Sequence, residues 1–154
     1  MAINLEYSRT AKCRPEHIWK VFQKLEQWAW WNPSVAHSKW TGGEPWHKGS
    51  HFLMELERPR RMSFDCEVLE GSANKVAWVG KGNLVTGEHW FSFEQNGDGT
   101  TVMKTWEKLS GFGSMFIGKG MQQKTVEVYK LWFDRLAARF IGPAGAPTPE
   151  GARP

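Results

Sequence analysis

A histidine and a glutamate lie on two neighbouring predicted strands, where they could exchange a proton. His89 belongs to an alternating segment at residues 84–94, and Glu107 belongs to the segment at residues 100–109. Side chains alternate between the two faces of a strand, and Lys104 should face solvent, so Glu107 should face the interior. The other residues on the same two inward faces are Phe91, Phe93, Met103 and Thr105.

The turn between these segments decides which residue lies opposite His89. Asn96-Gly97-Asp98-Gly99 is a strong hairpin signal, and it allows His89 to pair with either Thr105 or Glu107. A histidine next to a carboxylate in an apolar cavity would shift its partner's pKa, and the pair could serve as acid and base. The alternative is that His89 is a hydrogen-bonded polar residue near a strand end and that Glu107 pairs with lysine or solvent.

The remaining polar side chains do not form a second reactive cluster. His51 has the strand parity of Glu55 and Glu57, which indicates solvent, and we expect ordinary surface positions for His17, His37 and His47. His47 and His51 lack a third metal ligand, so we expect no metal site. Cys66 falls in an apolar row and is expected to be a small core residue. The sequence has no nucleophile elbow, phosphate loop or dinucleotide fingerprint, so we expect no cofactor.

Hydrophobic periodicity predicts the elements that must position these residues. A first strand at residues 3–11 is followed by a helix that starts at Arg14-Pro15-Glu16-His17, and by a short helix or turn at residues 28–33. Alternating segments then predict an antiparallel meander at residues 35–41, 51–57, 61–70, 76–80, 84–94 and 100–109.

A long helix is predicted to close the domain. Apolar residues recur every three or four positions over residues 114–141, and Gly142-Pro143 should end the helix. The stripe includes Met121, Thr125, Val128, Tyr129 and Trp132. We therefore expect one domain at residues 1–141 and a disordered Pro- and Gly-rich tail at residues 142–154. Glycines at positions 111, 113, 118 and 120 suggest mobility at a cavity entrance.

In this order of elements the chain resembles the START-like superfamily, also called SRPBCC, and within it the polyketide cyclase/dehydrase and lipid-transport group. The match covers roughly residues 3–140. It is carried by Pro15-Glu16-His17-Ile18-Trp19, Trp28 to Pro33, Gly49, Trp78-Val79-Gly80, Gly87-Glu88-His89-Trp90-Phe91, Gly99-Thr100-Thr101, Glu107 and Gly111. The resemblance implies an α+β helix-grip fold, in which a curved antiparallel sheet of about seven strands wraps around a long C-terminal helix.

The resemblance also implies a cavity between the long helix and the sheet, which binds a small hydrophobic or aromatic molecule non-covalently. The residues we expect to contact that ligand are Trp78, His89, Phe91, Phe93, Met103, Thr105, Glu107, Met121, Thr125, Val128, Tyr129 and Trp132. One alternative is a cyclase/aromatase-like enzyme in which His89 and Glu107 move protons. Another is an interaction module that uses the Trp-rich segment or the basic turn at residues 58–61.

Composition excludes several classes of protein. The chain has 154 residues and a net charge of +4, with 20 Lys and Arg against 16 Asp and Glu, so neither disorder nor nucleic-acid binding is expected. No apolar run could cross a membrane, and no secretory signal is recognisable, which predicts a cytoplasmic protein with two reduced cysteines.

The ten tryptophans and nine phenylalanines must line something large, a core or a cavity. By parity, Trp90 and Trp106 fall on the outer face of the sheet, so part of this surplus lies on the surface and could serve a homodimer. Trp28, Trp30 and Trp31 could form a stacking platform or interface patch. Alternatively, they could plug one end of the fold.

Overall fold

The computed structural model describes residues 2–140, and one antiparallel sheet dominates it. The seven strands are β1 (Ile3–Ala11), β2 (Val35–Gly42), β3 (His51–Leu56), β4 (Met62–Gly71), β5 (Lys75–Lys81), β6 (Thr86–Gln95) and β7 (Thr101–Ser110). Their order across the sheet is β1-β7-β6-β5-β4-β3-β2, so every chain neighbour from β2 to β7 is also a spatial neighbour. The predicted meander is confirmed, and each strand boundary lies within two residues of its prediction.

The helices cover the inner face of this curved sheet. They are α1 (Pro15–Phe22), α2 (Trp28–Trp31), which follows a 3-10 turn at Leu25–Gln27, and α3 (Lys119–Ala138). This is the predicted α+β helix-grip arrangement. The part of the chain that the structure describes contains no helix long and apolar enough to cross a membrane.

The predicted start of the last helix is wrong. The structure has a 3-10 turn at Phe112–Phe116, and α3 begins only at Lys119. Gly111 adopts a φ of 95°, which a helix does not tolerate, and glycine is a poor helix former at positions 113 and 118. Its last predicted residue, Ile141, the stop at Gly142-Pro143 and the predicted tail lie outside the described residues.

Rings fill one half of the space between α3 and the sheet. Phe22 lies at the centre of this aromatic cluster, with its ring centroid 5.1 Å from that of Phe91 and 5.3 Å from that of Trp28. Trp28 and Trp31 both pack edge-on against Trp132 of α3. These two tryptophans are therefore a plug at one end of the fold, whereas Trp30 is 42% exposed.

Three further tryptophans lie in a loop and on the outer face of the sheet. Trp46 lies in a loop, yet it is buried, has a φ of 63° and donates an indole hydrogen bond to the carbonyl of Gln23 (2.7 Å). Trp90 and Trp106 stack on the outer face of the sheet, as the strand parity predicts, with ring planes 4° apart and centroids separated by 5.9 Å.

Candidate functional site

A cavity of about 240 Å³ lies between α3 and the other half of the sheet. An apolar cavity of about 150 Å³ holds a benzene molecule, so this one has room for about ten non-hydrogen atoms. Its wall is mostly apolar. The wall residues that share the inner face of the sheet are Met54, Leu56, Met62, Phe64, Trp78, Gly80, Gly87, His89, Glu107 and Leu109.

Two facing glycines help to leave this space empty. Gly80 of β5 pairs directly with Gly87 of β6, and both line the cavity. The same row continues to Cys66 on one side and Leu109 on the other. Two adjacent inward positions therefore carry no side chain beneath α3. Inward-facing glycines at paired positions of successive strands are the sequence signal from which this cavity could have been predicted.

The next row of the sheet places the polar end of the cavity. Trp78 pairs with His89, and His89 pairs with Glu107, which is one of the two registers that the sequence allowed. The His89 side chain is 7% exposed and that of Glu107 is 15% exposed. The imidazole stacks on Phe91 with a centroid distance of 4.4 Å, so packing fixes the plane of the ring.

Four polar side chains, His89, Thr105, Glu107 and Tyr129, lie side by side at this end and form two hydrogen-bonded pairs. His89 Nε2 lies 2.6 Å from Thr105 Oγ1, and the Thr105 hydroxyl donates to the carbonyl of Trp90 (3.0 Å). On the other side of the ring, His89 Nδ1 lies 3.6 Å from Glu107 Oε2. The phenol of Tyr129 on α3 donates to Glu107 Oε1, which ties the long helix to the sheet.

Burial governs the electrostatics of these side chains. It lowers the pKa of His89, although the nearby charge of Glu107 acts in the opposite direction. Burial also raises the pKa of Tyr129, and Glu107 raises it further, so the phenol keeps its proton. The Cys66 thiol has a raised pKa for the same reason, with contributions from Asp65 and Glu107. The cavity wall thus carries a neutral imidazole and a protonated phenol beside one carboxyl group, and the protonated Cys66 thiol is buried next to it.

The mouth of the cavity combines a basic turn with an apolar one. Arg58, Pro59 and Arg60 in the β3–β4 turn line one side, and Leu84, Phe116 and Ile117 line the other. Leu84 and Phe116 are 57% and 74% exposed. The sequence predicts residues 58–61 only as a basic turn, because strand parity does not indicate where a turn lies relative to a distant helix.

Eight of the twelve residues expected to contact a ligand lie on the cavity wall: Trp78, His89, Glu107, Met121, Thr125, Val128, Tyr129 and Trp132. The other four, Phe91, Phe93, Met103 and Thr105, are each at most 1% exposed and do not line the cavity. Phe91 and Phe93 pack against Phe22 in the aromatic cluster, and Thr105 reaches the cavity only through His89.

The other candidate groups lie away from this site. His37 and His51 are exposed and lie near carboxylates of the sheet surface, as expected of surface residues. His17 departs from that expectation because its Nδ1 atom is buried and lacks a hydrogen-bond partner. Cys13 and Cys66 are buried free thiols, and burial raises the pKa of Cys13 to about 11. Within residues 2–140, no group of three or more His, Cys, Asp or Glu side chains could hold a metal ion.

Comparisons with known proteins agree with this architecture. A family model described as polyketide cyclase / dehydrase and lipid transport matches residues 2–141. A hypothetical protein of Helicobacter pylori, jhp0584, has a similar structure, with a TM-score of 0.77, 14% identity and coverage of 88% of this chain and 86% of that one. A comparison with curated protein sequences found no match.

Two further solved structures share the fold. A START superfamily protein from Mycobacterium smegmatis gives a TM-score of 0.70 at 17% identity, and covers 88% of this chain and 95% of that one. Ara h 8.0201 gives a TM-score of 0.72 at 12% identity, and covers 90% of this chain and 97% of that one. At these identities the structural likeness establishes the fold and leaves the ligand open.

Proposed function

Because the chain belongs to the polyketide cyclase / dehydrase and lipid transport family, we propose that it binds one small hydrophobic or aromatic molecule, non-covalently, for carriage or sensing. The observation that supports this proposal is the 240 Å³ cavity, which has apolar walls and a single polar end. Ligand sites in proteins commonly have this composition, with a few polar groups that fix orientation. A location in the cytoplasm is part of the proposal and is consistent with the two free thiols.

The driving force is the burial of apolar surface between α3 and the sheet. Met121, Thr125 and Val128 from the helix face Met54 and Phe64 from the strands across the cavity. Each square ångström of apolar surface that a ligand removes from water contributes about 25 cal/mol. A compound of about ten non-hydrogen atoms can be enclosed in this space. A longer ligand would project through the mouth.

A cavity-filling variant tests the proposal directly. Thr125→Trp places an indole in the cavity and should weaken the binding of naphthalene by at least about ten-fold, measured by titration calorimetry. Gln123→Trp adds the same ring to an exposed position of the same helix and should leave the affinity unchanged. If naphthalene and related compounds do not bind the wild-type protein, or bind Thr125→Trp equally well, the cavity is not the binding site.

A cyclase-like enzyme is the second candidate, and the pairing of His89 with Glu107 favours it. The two groups lie 3.6 Å apart at the end of the cavity, where a general base and its partner could act on a folded carbonyl chain. In that case His89→Gln should abolish turnover of a short poly-β-carbonyl substrate while leaving its affinity largely intact. Unchanged turnover would remove His89 from any proton transfer.

A further inference from the structure

The hydroxyl protons at the polar end of the cavity are all used within the protein. A hydroxyl carries one proton, and that of Thr105 goes to the carbonyl of Trp90, so Thr105 must accept its second bond from His89 Nε2–H. The phenol of Tyr129 donates to Glu107, and the hydroxyl of Thr125 donates to the carbonyl of Met121. None of these protons is left to meet a ligand.

Two hydrogen-bond acceptors at the polar end, His89 Nδ1 and Glu107 Oε2, remain without a donor. When Nε2 of a neutral imidazole holds the proton, Nδ1 carries a lone pair, and His89 Nδ1 faces Glu107 Oε2 at 3.6 Å. That distance is too long for a direct hydrogen bond. A neutral imidazole is favoured here because the ring is buried. Two lone pairs, one of them on a carboxylate, therefore lie side by side on the cavity wall.

Packing holds the carboxylate in this accepting position. A methyl group on Gly87 would lie 2.7 Å from Glu107 Oε2, so the absence of that side chain gives the carboxylate its place. Tyr129 holds the other oxygen from the helix side. The site is thus built from three elements, β6, β7 and α3.

Charge along the cavity runs from negative inside to positive at the mouth. Glu107 lies at the polar end, while Arg58 and Arg60 line the opening. A cationic donor such as an ammonium group would have to pass the arginines and shed its water in an apolar space, which is costly. A neutral donor such as a hydroxyl group is not repelled by the arginines, and it loses far less hydration free energy than a cation does when it enters the cavity.

We infer that the polar end is a hydrogen-bond-accepting site that selects a hydroxyl-bearing aromatic ligand, whose single hydroxyl proton is shared between His89 Nδ1 and Glu107 Oε2. This inference rests on the proposed function and adds the chemical class of the ligand. Carbonyl and ether oxygens bring only lone pairs to this wall, so such compounds leave the two acceptors unpaired. The penalty for a buried polar group left unpaired makes this discrimination large.

Four compounds of similar size distinguish binding in the apolar cavity from selection of a hydroxyl group at its polar end. Naphthalene, 2-naphthol, 2-methoxynaphthalene and 2-naphthaldehyde are titrated calorimetrically at neutral pH. We expect 2-naphthol to bind at least about ten-fold more tightly than its methyl ether and than the aldehyde. Binding of naphthalene tests the apolar cavity alone. If none of the four binds, the proposed function fails, whereas equal affinities overturn only the inference.

Two variants locate the effect. In Glu107→Gln the amide can turn a donor toward His89 Nδ1, so the preference for 2-naphthol over its ether should fall below about three-fold. Tyr129→Phe removes the hydrogen bond that holds Glu107, so the affinity for 2-naphthol should fall while that for 2-naphthaldehyde, which only accepts hydrogen bonds, should not. If Tyr129→Phe instead weakens binding of 2-naphthaldehyde, Tyr129 donates to ligands and the inference is wrong.

The tautomer of His89 can be read from the wild-type protein without any variant. A long-range proton–nitrogen NMR spectrum of histidine-labelled protein should show the His89 proton on Nε2 and an unprotonated Nδ1 that shifts when 2-naphthol binds. A proton on Nδ1 in the free protein would contradict the inference, because that proton would occupy the accepting position.

Discussion

His89 is held by a ring stacked on its imidazole and by a hydrogen bond at one of its two nitrogens. Phe91 stacks on the ring, Thr105 bonds to Nε2, and the hydrogen-bonded pair of Glu107 and Tyr129 lies on the other side. Arg58 and Arg60 are the other charged groups that line the cavity, and the buried Cys66 lies behind its wall, paired with Gly80 in the sheet. Such a ring is positioned by its surroundings before any ligand arrives, so a bound molecule need not order it.

Burial of His89 predicts a loss of stability in mild acid. The pKa of the buried imidazole lies below its ordinary value of 6.5. Just below pH 6.5 the unfolded chain therefore binds a proton at His89, whereas the folded protein does not. The contribution of His89 to the free energy of unfolding is therefore complete above pH 6.5. It declines as the pH falls toward the lower pKa of the folded state, by up to about 1.4 kcal/mol per pH unit.

Urea unfolding across this pH range checks the prediction. The free energy of unfolding of the wild type should fall more steeply below about pH 6.5 than that of His89→Gln. His47→Gln, at an exposed loop position, should keep the wild-type slope. Parallel profiles for the wild type and His89→Gln would show that the imidazole accepts its proton equally well in both states.

At the scale of elements, the mouth segment (residues 111–118) separates the cavity from solvent. The amide of Gly113 donates to the carbonyl of Leu84 (2.8 Å), so the segment is attached to the β5–β6 turn. Phe112, Met115 and Phe116 remain exposed on its outer side. Of these three, Phe116 borders the mouth of the cavity together with Leu84.

Gly113→Ala should loosen this attachment. A methyl group at that position would lie 2.8 Å from Leu84 Cβ and 2.9 Å from Val85 Cγ2, closer than carbon atoms approach each other, so the mouth segment must move outward. We expect naphthalene to dissociate several-fold faster, measured by stopped-flow tryptophan fluorescence, and the Tm to fall.

Gly120→Ala is the matched control, because no atom lies within 4 Å of the added methyl group and alanine favours the first turn of α3. It should leave the dissociation rate unchanged and the Tm equal or higher. Equal dissociation rates for Gly113→Ala and the wild type would mean that ligands reach the cavity by another route.

The sequence predicts the strands and the faces of their residues better than it predicts which of those residues line the cavity. Alternation placed every strand and turned His89 and Glu107 to the same face, because the period of a strand leaves only two choices. The link from Glu107 to Tyr129 depends on how α3 lies across the sheet. Phe91 and Trp78 both face inward, yet only Trp78 borders empty space, and periodicity carries no information on whether facing residues meet.

At the scale of the whole molecule, most of the aromatic residues fall into three groups. One group fills the interior beside α1 and α2, and another, including Trp78 and Trp132, forms the boundary of the cavity. The third is the Trp90–Trp106 stack on the outer face, where Lys75 Nζ lies 5.0 Å from the Trp90 ring centre. Dense packing in one half of the interior thus supports an open space in the other.

Because one half of the interior is filled and the other is open, shortening a side chain to alanine should cost more free energy of unfolding in the filled half. Phe22→Ala removes a fully buried ring that contacts five others, so it should lower the free energy of unfolding by about 3–5 kcal/mol. Met121→Ala removes a side chain that already borders a void, and the cost should be about 1 kcal/mol.

Urea denaturation of the two variants measures this difference in the free energy of unfolding. Titration with naphthalene measures whether each variant still binds a ligand. Met121→Ala should still bind naphthalene and should admit larger aromatic compounds than the wild type, because the truncation enlarges the cavity while the aromatic cluster stays intact. Comparable losses of stability for the two variants would mean that the space beneath α3 is closed in solution, since a side chain packed on all sides costs as much to remove there as in the filled half.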